Sequence, residues 1–191
     1  MAKKLLSLAL VLAVAFAFTA CSGSNDKQDE ETPNPVTECS YEDMVTTTGI
    51  DIKAPEGASD AAYSYIDTDK GQIAQVKFKV DDVDYCYRCM STDVTSFGAG
   101  SDDDPQGSFQ DALDLATELT GMHYQWNVSG TYLVSDRDAV FGIKNSEKEG
   151  FVAWLDVVPG FIYSLSANPV KEVEPLADMA EKIFVPMQGE V

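Results

Sequence analysis

The stretch YCYRCM places two cysteines, Cys86 and Cys89, at the C-x-x-C spacing. This spacing occurs in redox couples at helix N-termini, where a thiolate is stabilised, and in zinc sites that contain a second Cys or His pair. Here the surrounding residues predict a strand, and the chain has no second such pair. Residues three apart on a strand point to opposite faces, so a bond between the two sulfurs would need a bend. We therefore interpret the motif as part of a strand rather than as a redox or metal centre.

An oxidising compartment would still allow one disulfide in the region that follows residue 37. The candidates are Cys39, Cys86 and Cys89, with Cys39 as the natural partner of either of the other two. The commoner outcome for such cysteines is a small apolar thiol in the protein interior. The sequence leaves both outcomes open.

The acidic segment 102–104 partly matches a calcium-binding loop. If Asp102 is position 1, then Asp104 is position 3 and Gly107 is position 6, as in an EF-hand. Position 12, which supplies a bidentate Glu in that motif, is Leu113. Asp102 and Asp104 are therefore weak candidates for calcium ligands, and the simpler interpretation is a solvated acidic loop. No other cofactor is predicted.

Aromatic residues at strand spacing suggest a second kind of site. Such residues usually form core and rim, but they can also line a groove for sugar or peptide. We take Tyr124, Trp126 and Trp154 as the candidate ligand platform. His123, the only histidine, is predicted to lie on the polar face of a strand at 122–128 and to be solvated.

The N-terminus has the pattern of an export signal. Lys3 and Lys4 precede an almost unbroken apolar run over residues 5–18, and small residues lead to Cys21. This arrangement predicts a signal peptide at residues 1–20 that is removed on export. The residues around Cys21 resemble the lipobox of bacterial lipoproteins, which implies that Cys21 carries a diacylglycerol and a fatty acyl group such as palmitate. Two or more buried acyl chains hold a protein stably on a membrane.

The net charge of the chain limits the kinds of molecule that it can bind. The chain has 13 basic and 32 acidic residues, and its formal net charge is −19. Removal of residues 1–20 would remove two lysines and no acid, so the remainder would carry −21. Such a surface repels nucleic acid, and we predict no nucleic-acid partner. Residues 21–37 lack apolar periodicity and contain many small, charged and proline residues, which indicates a lipidated Cys followed by a disordered acidic tether.

The remaining residues, 38–191, suit a single domain. Apolar spacing predicts a short helix at 38–48 that is capped by Ser40, a second at 108–121 and a third at 175–184. Two-residue alternation and turn residues predict strands at 61–66, 75–80, 83–88, 122–128, 131–135, 139–144, 151–157 and 161–167. We predict an α+β fold in which an antiparallel, meander-like sheet is covered on one face by the helices at 108–121 and 175–184.

Four segments carry a family resemblance: IAQVKFKVDDVDYCYR, LTGMHYQW, VAWLDVVPGFIYSLS and, after the final helix, VPMQGEV. Over about residues 50–191 the chain resembles small lipoprotein domains of a domain-of-unknown-function family from Gram-positive anaerobic bacteria. The resemblance implies an extracytoplasmic location and carries no catalytic residues. The chain departs from the family pattern at Asp82, where glycine is usual, and at Cys86 and Cys89.

These features favour a non-enzymatic lipoprotein that is held by Cys21 on the extracytoplasmic face of the cell membrane and binds an envelope ligand or protein. The alternative is an envelope hydrolase that acts on cell-wall sugar or peptide. Buried carboxylates in a cluster, or Cys89 beside His123 in a cleft, would favour the hydrolase. An exposed, aromatic-lined sheet face would favour the binding protein.

Overall fold

The computed structural model describes residues 35–94, 105–158 and 160–187. The predicted signal peptide, Cys21, most of the predicted tether, Asp102 and Asp104 lie outside these ranges. The described strands are β1 (Val36–Cys39), β2 (Ser59–Thr68), β3 (Gly71–Val80), β4 (Val83–Ser91), β5 (Val128–Val134), β6 (Arg137–Lys144), β7 (Glu149–Asp156) and β8 (Phe161–Asn168). The described helices are α1 (Tyr41–Thr48), α2 (Pro105–Thr120) and α3 (Val173–Ile183).

The strands form one sheet in the order β1-β2-β3-β4-β8-β7-β6-β5, and all neighbours are antiparallel. Hairpins connect β2 to β4 along one half of the sheet and β5 to β8 along the other. The pairing of β4 with β8 joins the two halves. The predicted antiparallel, meander-like α+β fold is therefore confirmed.

The centre of the sheet is buried on both faces. Every residue of β7 from Gly150 to Asp156 is buried, as is most of β8. One row of side chains across the sheet consists of Val76, Tyr87, Leu165 and Val152, and a row on the opposite face consists of Ile73, Met90, Ile162 and Leu155. A continuous apolar strand of this kind needs cover on both sides.

The helices supply that cover from opposite sides. Met44 of α1 and Leu176 of α3 pack with the row that contains Val76, so this side is called the α1/α3 face. Ala116 and Leu119 of α2 pack with the row that contains Ile73, so the other side is called the α2 face. The prediction that the helices at 108–121 and 175–184 share one face is wrong, because β7 and β8 present apolar side chains to both faces.

The helix termini follow the local signals in the sequence. The Ser40 side chain accepts a hydrogen bond from the backbone N–H of Asp43, which confirms the predicted cap of α1. Gly121 adopts φ +71° directly after α2, and its N–H donates to the carbonyl of Thr117. This left-handed residue ends the helix as predicted. Pro105 begins α2, three residues before the predicted start, and proline suits the first helical turn.

Two of the predicted elements are wrong. Residues 36–39 form the edge strand β1 rather than the end of a tether and the start of a helix, because they pair with β2 from Val36 opposite Ile66 to Cys39 opposite Tyr63. The predicted strand at 122–128 does not form: residues 122–126 lack regular structure and β5 begins at Val128. The alternation in this segment reflects aromatic side chains that fold back onto the sheet.

A chain of polar contacts attaches the C-terminal end of α2 to the sheet. The buried side chain of Gln75 donates to Ser64 Oγ at 2.7 Å and accepts from Arg88 Nε at 2.8 Å. Arg88 Nη1 donates to the carbonyl of Leu119 at 2.8 Å. One guanidinium therefore satisfies both a buried amide and one of the free carbonyls at the end of α2.

Arg88→Met should destabilise the domain by about 2 kcal/mol, because Gln75 and the Leu119 carbonyl would lose their donor in a partly buried setting. Urea unfolding measures this change. Lys77→Met, on the neighbouring strand but exposed, is the matched control and should shift stability by less than about 0.5 kcal/mol. Equal effects of the two substitutions would show that Arg88 has no special role.

Candidate functional site

The three described cysteines are free thiols on two strands, Cys39 on β1 and both Cys86 and Cys89 on β4. Cys39 and Cys89 both lie on the α1/α3 face, but β2 and β3 separate their strands, which corresponds to about 14 Å. Disulfide geometry requires Cα atoms within about 7 Å. Cys86 lies on the α2 face. The structure therefore brings none of the predicted disulfide partners together, and of the two outcomes left open by the sequence it agrees with free thiols.

Cys89 is an interior residue with a protonated thiol. Burial raises its pKa well above the ordinary value of 9.0. Burial also raises the pKa of the neighbouring phenols of Tyr87 and Tyr163. A buried thiol without thiolate character is a poor nucleophile and a poor metal ligand. The position of Cys89 therefore agrees with the interpretation of the C-x-x-C spacing as part of a strand.

Trp154 belongs to the aromatic core of the α1/α3 face rather than to a surface platform. It is fully buried, and its ring stacks on Tyr163 at 5.5 Å and on Tyr87 at 5.9 Å. Phe184, directly after α3, packs edge-on against Trp154 and Tyr163. Of the three predicted platform residues, Trp154 is thus separated by the sheet from the other two.

Tyr124 and Trp126 lie on the α2 face, in the segment between α2 and β5. The Trp126 ring covers Gly142, where an added Cβ would lie 2.5 Å from Trp126 Cδ2. It also packs edge-on against Phe151 at 5.0 Å. Only glycine permits this close approach of an indole to the strand. The structure thus brings two of the three platform residues together, with ring centroids 5.4 Å apart.

Polar contacts fix Tyr124 at the margin of the sheet. Its hydroxyl donates to Glu149 Oε2 at 2.7 Å, and Asn168 Nδ2 donates to the other oxygen at 3.1 Å. The hydrogen bond to Glu149, together with partial burial, raises the pKa of Tyr124 to about 12. Tyr124 as a whole is 37% exposed, which leaves part of the residue accessible to a ligand.

The pair borders a part of the α2 face that α2 leaves exposed. Across the sheet, Lys77 lies opposite Cys86, Cys86 opposite Ser166, and Ser166 opposite Phe151 beneath Trp126. Lys77 is exposed, whereas Cys86 and Ser166 are partly exposed. We call the surface formed by Lys77, Cys86, Ser166, Tyr124 and Trp126 the open face.

Only some members of the open face were predictable. The Asp81-Asp82 turn sets Val80 opposite Val83, so the predicted hairpin already places Lys77 opposite Cys86. No local signal places Ser166 beside Cys86, because the two are 80 residues apart in the chain.

A cleft lies at the opposite end of the sheet from the open face. This cleft of about 440 Å³ is lined by Ser135, Asp136, Arg137, Asp138, Leu155, Asp156, Val157 and Val158. Asp156 is buried, and its Oδ1 accepts from Arg137 Nε at 3.0 Å. The guanidinium of Arg137 also lies 4.5 Å from the centre of the Phe184 ring, so the ion pair helps to hold the end of α3.

Other predicted groups stay apart. His123 is exposed in the segment after α2, whereas Cys89 is buried on the α1/α3 face. Within the described ranges, no three His, Cys, Asp or Glu side chains are grouped so that they could hold a metal ion. The calcium candidates Asp102 and Asp104 lie outside these ranges. Among the described helices, none is long and apolar enough to cross a membrane.

A scan against models of protein families, a search of curated proteins and a search of solved structures found no match to this chain. The resemblance to lipoprotein domains of unknown function therefore stays a prediction.

Because the thiol of Cys89 and the phenols of Tyr87 and Tyr163 are buried, we expect the free energy of unfolding to fall at alkaline pH. In the unfolded chain Cys89 ionises near 9.0 and the tyrosines near 10.0, whereas burial keeps these groups protonated in the folded state. The contribution of these groups to the free energy of unfolding should therefore be fully present below pH 9. It should fall as the pH rises, by at most about 1.4 kcal/mol per pH unit for each group.

Urea unfolding between pH 8 and pH 10.5 measures this slope. Cys89→Ala should reduce it, whereas Val76→Ala, a cavity in the same core, should lower stability and leave the slope unchanged. A wild-type stability that does not fall over this range would contradict a buried, protonated Cys89.

Gly142→Ala should displace Trp126 from the sheet, because the new methyl group would overlap the indole. The chain has two tryptophans, and Trp154 is fully buried, so acrylamide quenching reports mainly on Trp126. Quenching should increase in Gly142→Ala. The same substitution combined with Trp126→Phe is the control and should leave the quenching of Trp154 low. Unchanged quenching in Gly142→Ala would show that Trp126 does not cover Gly142.

Proposed function

We propose that this protein is an extracytoplasmic, lipid-anchored binding module whose open face receives an envelope ligand. The observation that carries the proposal is an exposed strip of polar side chains with an aromatic pair at its margin, on the part of the α2 face that α2 does not cover. Exposed aromatic residues beside hydrogen-bonding groups are typical of ligand sites. Membrane attachment through Cys21 on the extracytoplasmic side is the part of the proposal that depends on the N-terminal sequence pattern.

The arrangement of reactive groups favours binding over hydrolysis. Cys89 is fully buried in the aromatic core whereas His123 is exposed, so they do not form a nucleophile and base. Asp156 is the one buried carboxylate in the described ranges, and Arg137 holds it in an ion pair. Asp136 and Asp138 line the same cleft as Asp156, but both are exposed and Asp156 is paired with Arg137, so the cleft offers no free buried carboxylate as a second catalytic group.

The chemistry of the open face favours an uncharged, polar polymer. Tyr124 and Trp126 offer ring surfaces, and Ser166 and the hydroxyl of Tyr124 offer hydrogen bonds. Lys77 is the one cation of this surface, so a strong anion site is absent from it. A glycan strand of the cell wall has the required hydroxyl-rich and ring-shaped surfaces, and it is the probe that we would use first.

The anchor is tested by expression of the full chain in a bacterial host that processes lipoproteins. Wild-type protein should partition into the detergent phase, and its N-terminal peptide should carry the mass of a diacylglycerol on Cys21. Cys21→Ser should move the protein to the aqueous phase. Detergent partition that does not depend on Cys21 would contradict this mode of attachment.

The open face is tested by co-sedimentation with purified peptidoglycan. Trp126→Ala and Tyr124→Ala should each weaken binding about tenfold, which corresponds to about 1.4 kcal/mol. Val158→Ala, at the far end of the sheet and 84% exposed, is the matched control and should bind as wild type does. Binding that is equal for all variants would place the ligand elsewhere, and no binding by wild type would exclude peptidoglycan as the ligand.

A further inference from the structure

Strand β5 ends the sheet and has an outer edge that no described strand pairs with. An edge strand exposes a row of N–H and C=O groups that can pair with another chain. Proteins usually protect such edges with charged side chains, proline, bulges or very short strands.

The β5 edge has none of these protections. Its sequence, VSGTYLV, contains no charge and no proline, and its seven residues pair with β6 in an unbroken register. Val128 and Leu133 are 49% and 55% exposed. The opposite edge of the sheet, β1, has only four residues and includes Glu38. The contrast indicates that β5 is an interaction edge and β1 is a protected one.

We propose that a second copy of this chain occupies the β5 edge and pairs antiparallel to it, about a two-fold axis at Thr131. This register sets Thr131 opposite Thr131 of the second copy and Gly130 opposite Tyr132 of the second copy. Within each copy the ring of Phe141 on β6 already covers Gly130, so the new pair is stabilised by the outward backbone groups of β5 rather than by cover of this glycine. Antiparallel pairing of a strand with itself also satisfies the requirement that a two-fold interface uses the same surface on both copies.

Charge also favours a second copy at this edge. With a net charge of −19, two copies repel each other over most of their surfaces. At the β5 edge the seven paired positions are uncharged. In the two-fold register Asp136 comes opposite position 126, a tryptophan, and Arg137 comes opposite position 125, a glutamine. No acid therefore faces an acid along the extended pair.

The dimer is expected to be reversible. A single seven-residue strand pair buries much less than the ~1,600 Å² of a standard stable interface. We therefore expect a dissociation constant between about 10 and 300 μM, which sedimentation equilibrium can measure.

A charge-complementation experiment tests both the edge and the register. The full chain with Cys21→Ser, which removes the lipidation site, is the parent. Thr131 is exposed, so Thr131→Glu and Thr131→Lys should fold as the parent does. Each variant alone would set two like charges opposite each other and should be monomeric over the range in which the parent dimerises. An equimolar mixture should form a dimer again, because Glu would face Lys.

Thr37→Glu and Thr37→Lys, exposed on β1, are the matched controls and should dimerise as the parent does. A parent that stays monomeric up to about 500 μM would overturn the proposal. Dimers that persist in Thr131→Glu, or that the mixture does not restore, would overturn the proposed edge or register. None of the substituted positions belongs to the open face and the experiment is done without a ligand, so these outcomes are independent of the proposed function.

Discussion

The antiparallel pairing of β4 with β8 is the constraint on which the rest of the structure depends. It joins two sets of hairpins that are otherwise local, and it aligns Tyr87 with Leu165 and Cys86 with Ser166. On the α1/α3 face this pairing brings Tyr87 against Trp154 and Tyr163, which form the aromatic core. On the α2 face it places Cys86 beside Ser166, so the open face extends from β3 across β4 and β8 towards β7. One long-range contact thus fixes both the core and the candidate site.

Burial on both faces explains why the helices lie on opposite sides. β7 and β8 have near-continuous apolar runs, so either face left bare would expose large side chains to water. Helix α2 covers only part of its face: Gly121 ends it, and the contacts of Arg88 with Gln75 and the Leu119 carbonyl hold that end against the sheet. The segment that follows Gly121 then carries Tyr124 and Trp126 back over β6 and β7. The position of the open face is therefore a consequence of where α2 stops.

Local signals in the sequence predicted most of the elements. Alternation and turn residues identified the strands that became β2, β3, β4, β6, β7 and β8 and, at 131–135, most of β5, and the Ser40 and Gly121 signals located the ends of two helices. Elements that depend on contacts between distant parts of the chain were not predictable in this way. The strand β1 has only four residues between polar segments, and its pairing with β2 supplies the stability that its own sequence does not show.

The same contrast between local signals and long-range contacts applies to the candidate site. The cysteine spacing was correctly interpreted as a strand, because the alternation of faces is a local property. The grouping of Trp154 with Tyr124 and Trp126 was wrong, because all three have suitable chemistry and only the tertiary structure separates core from surface. Glycine at position 142 carried a signal for a close approach, but its partner, Trp126, could not be identified from spacing alone.

The most direct test of the central claim, that ligand binds the open face, is a thiol footprint. Cys86 lies in the open face, whereas Cys39 lies on the α1/α3 face, and both are partly exposed. Alkylation by iodoacetamide would be followed by peptide mass spectrometry with and without saturating peptidoglycan. The account predicts that bound peptidoglycan slows modification of Cys86 at least about fivefold and leaves Cys39 unchanged. An unchanged rate at Cys86 under conditions where the protein is bound would contradict it.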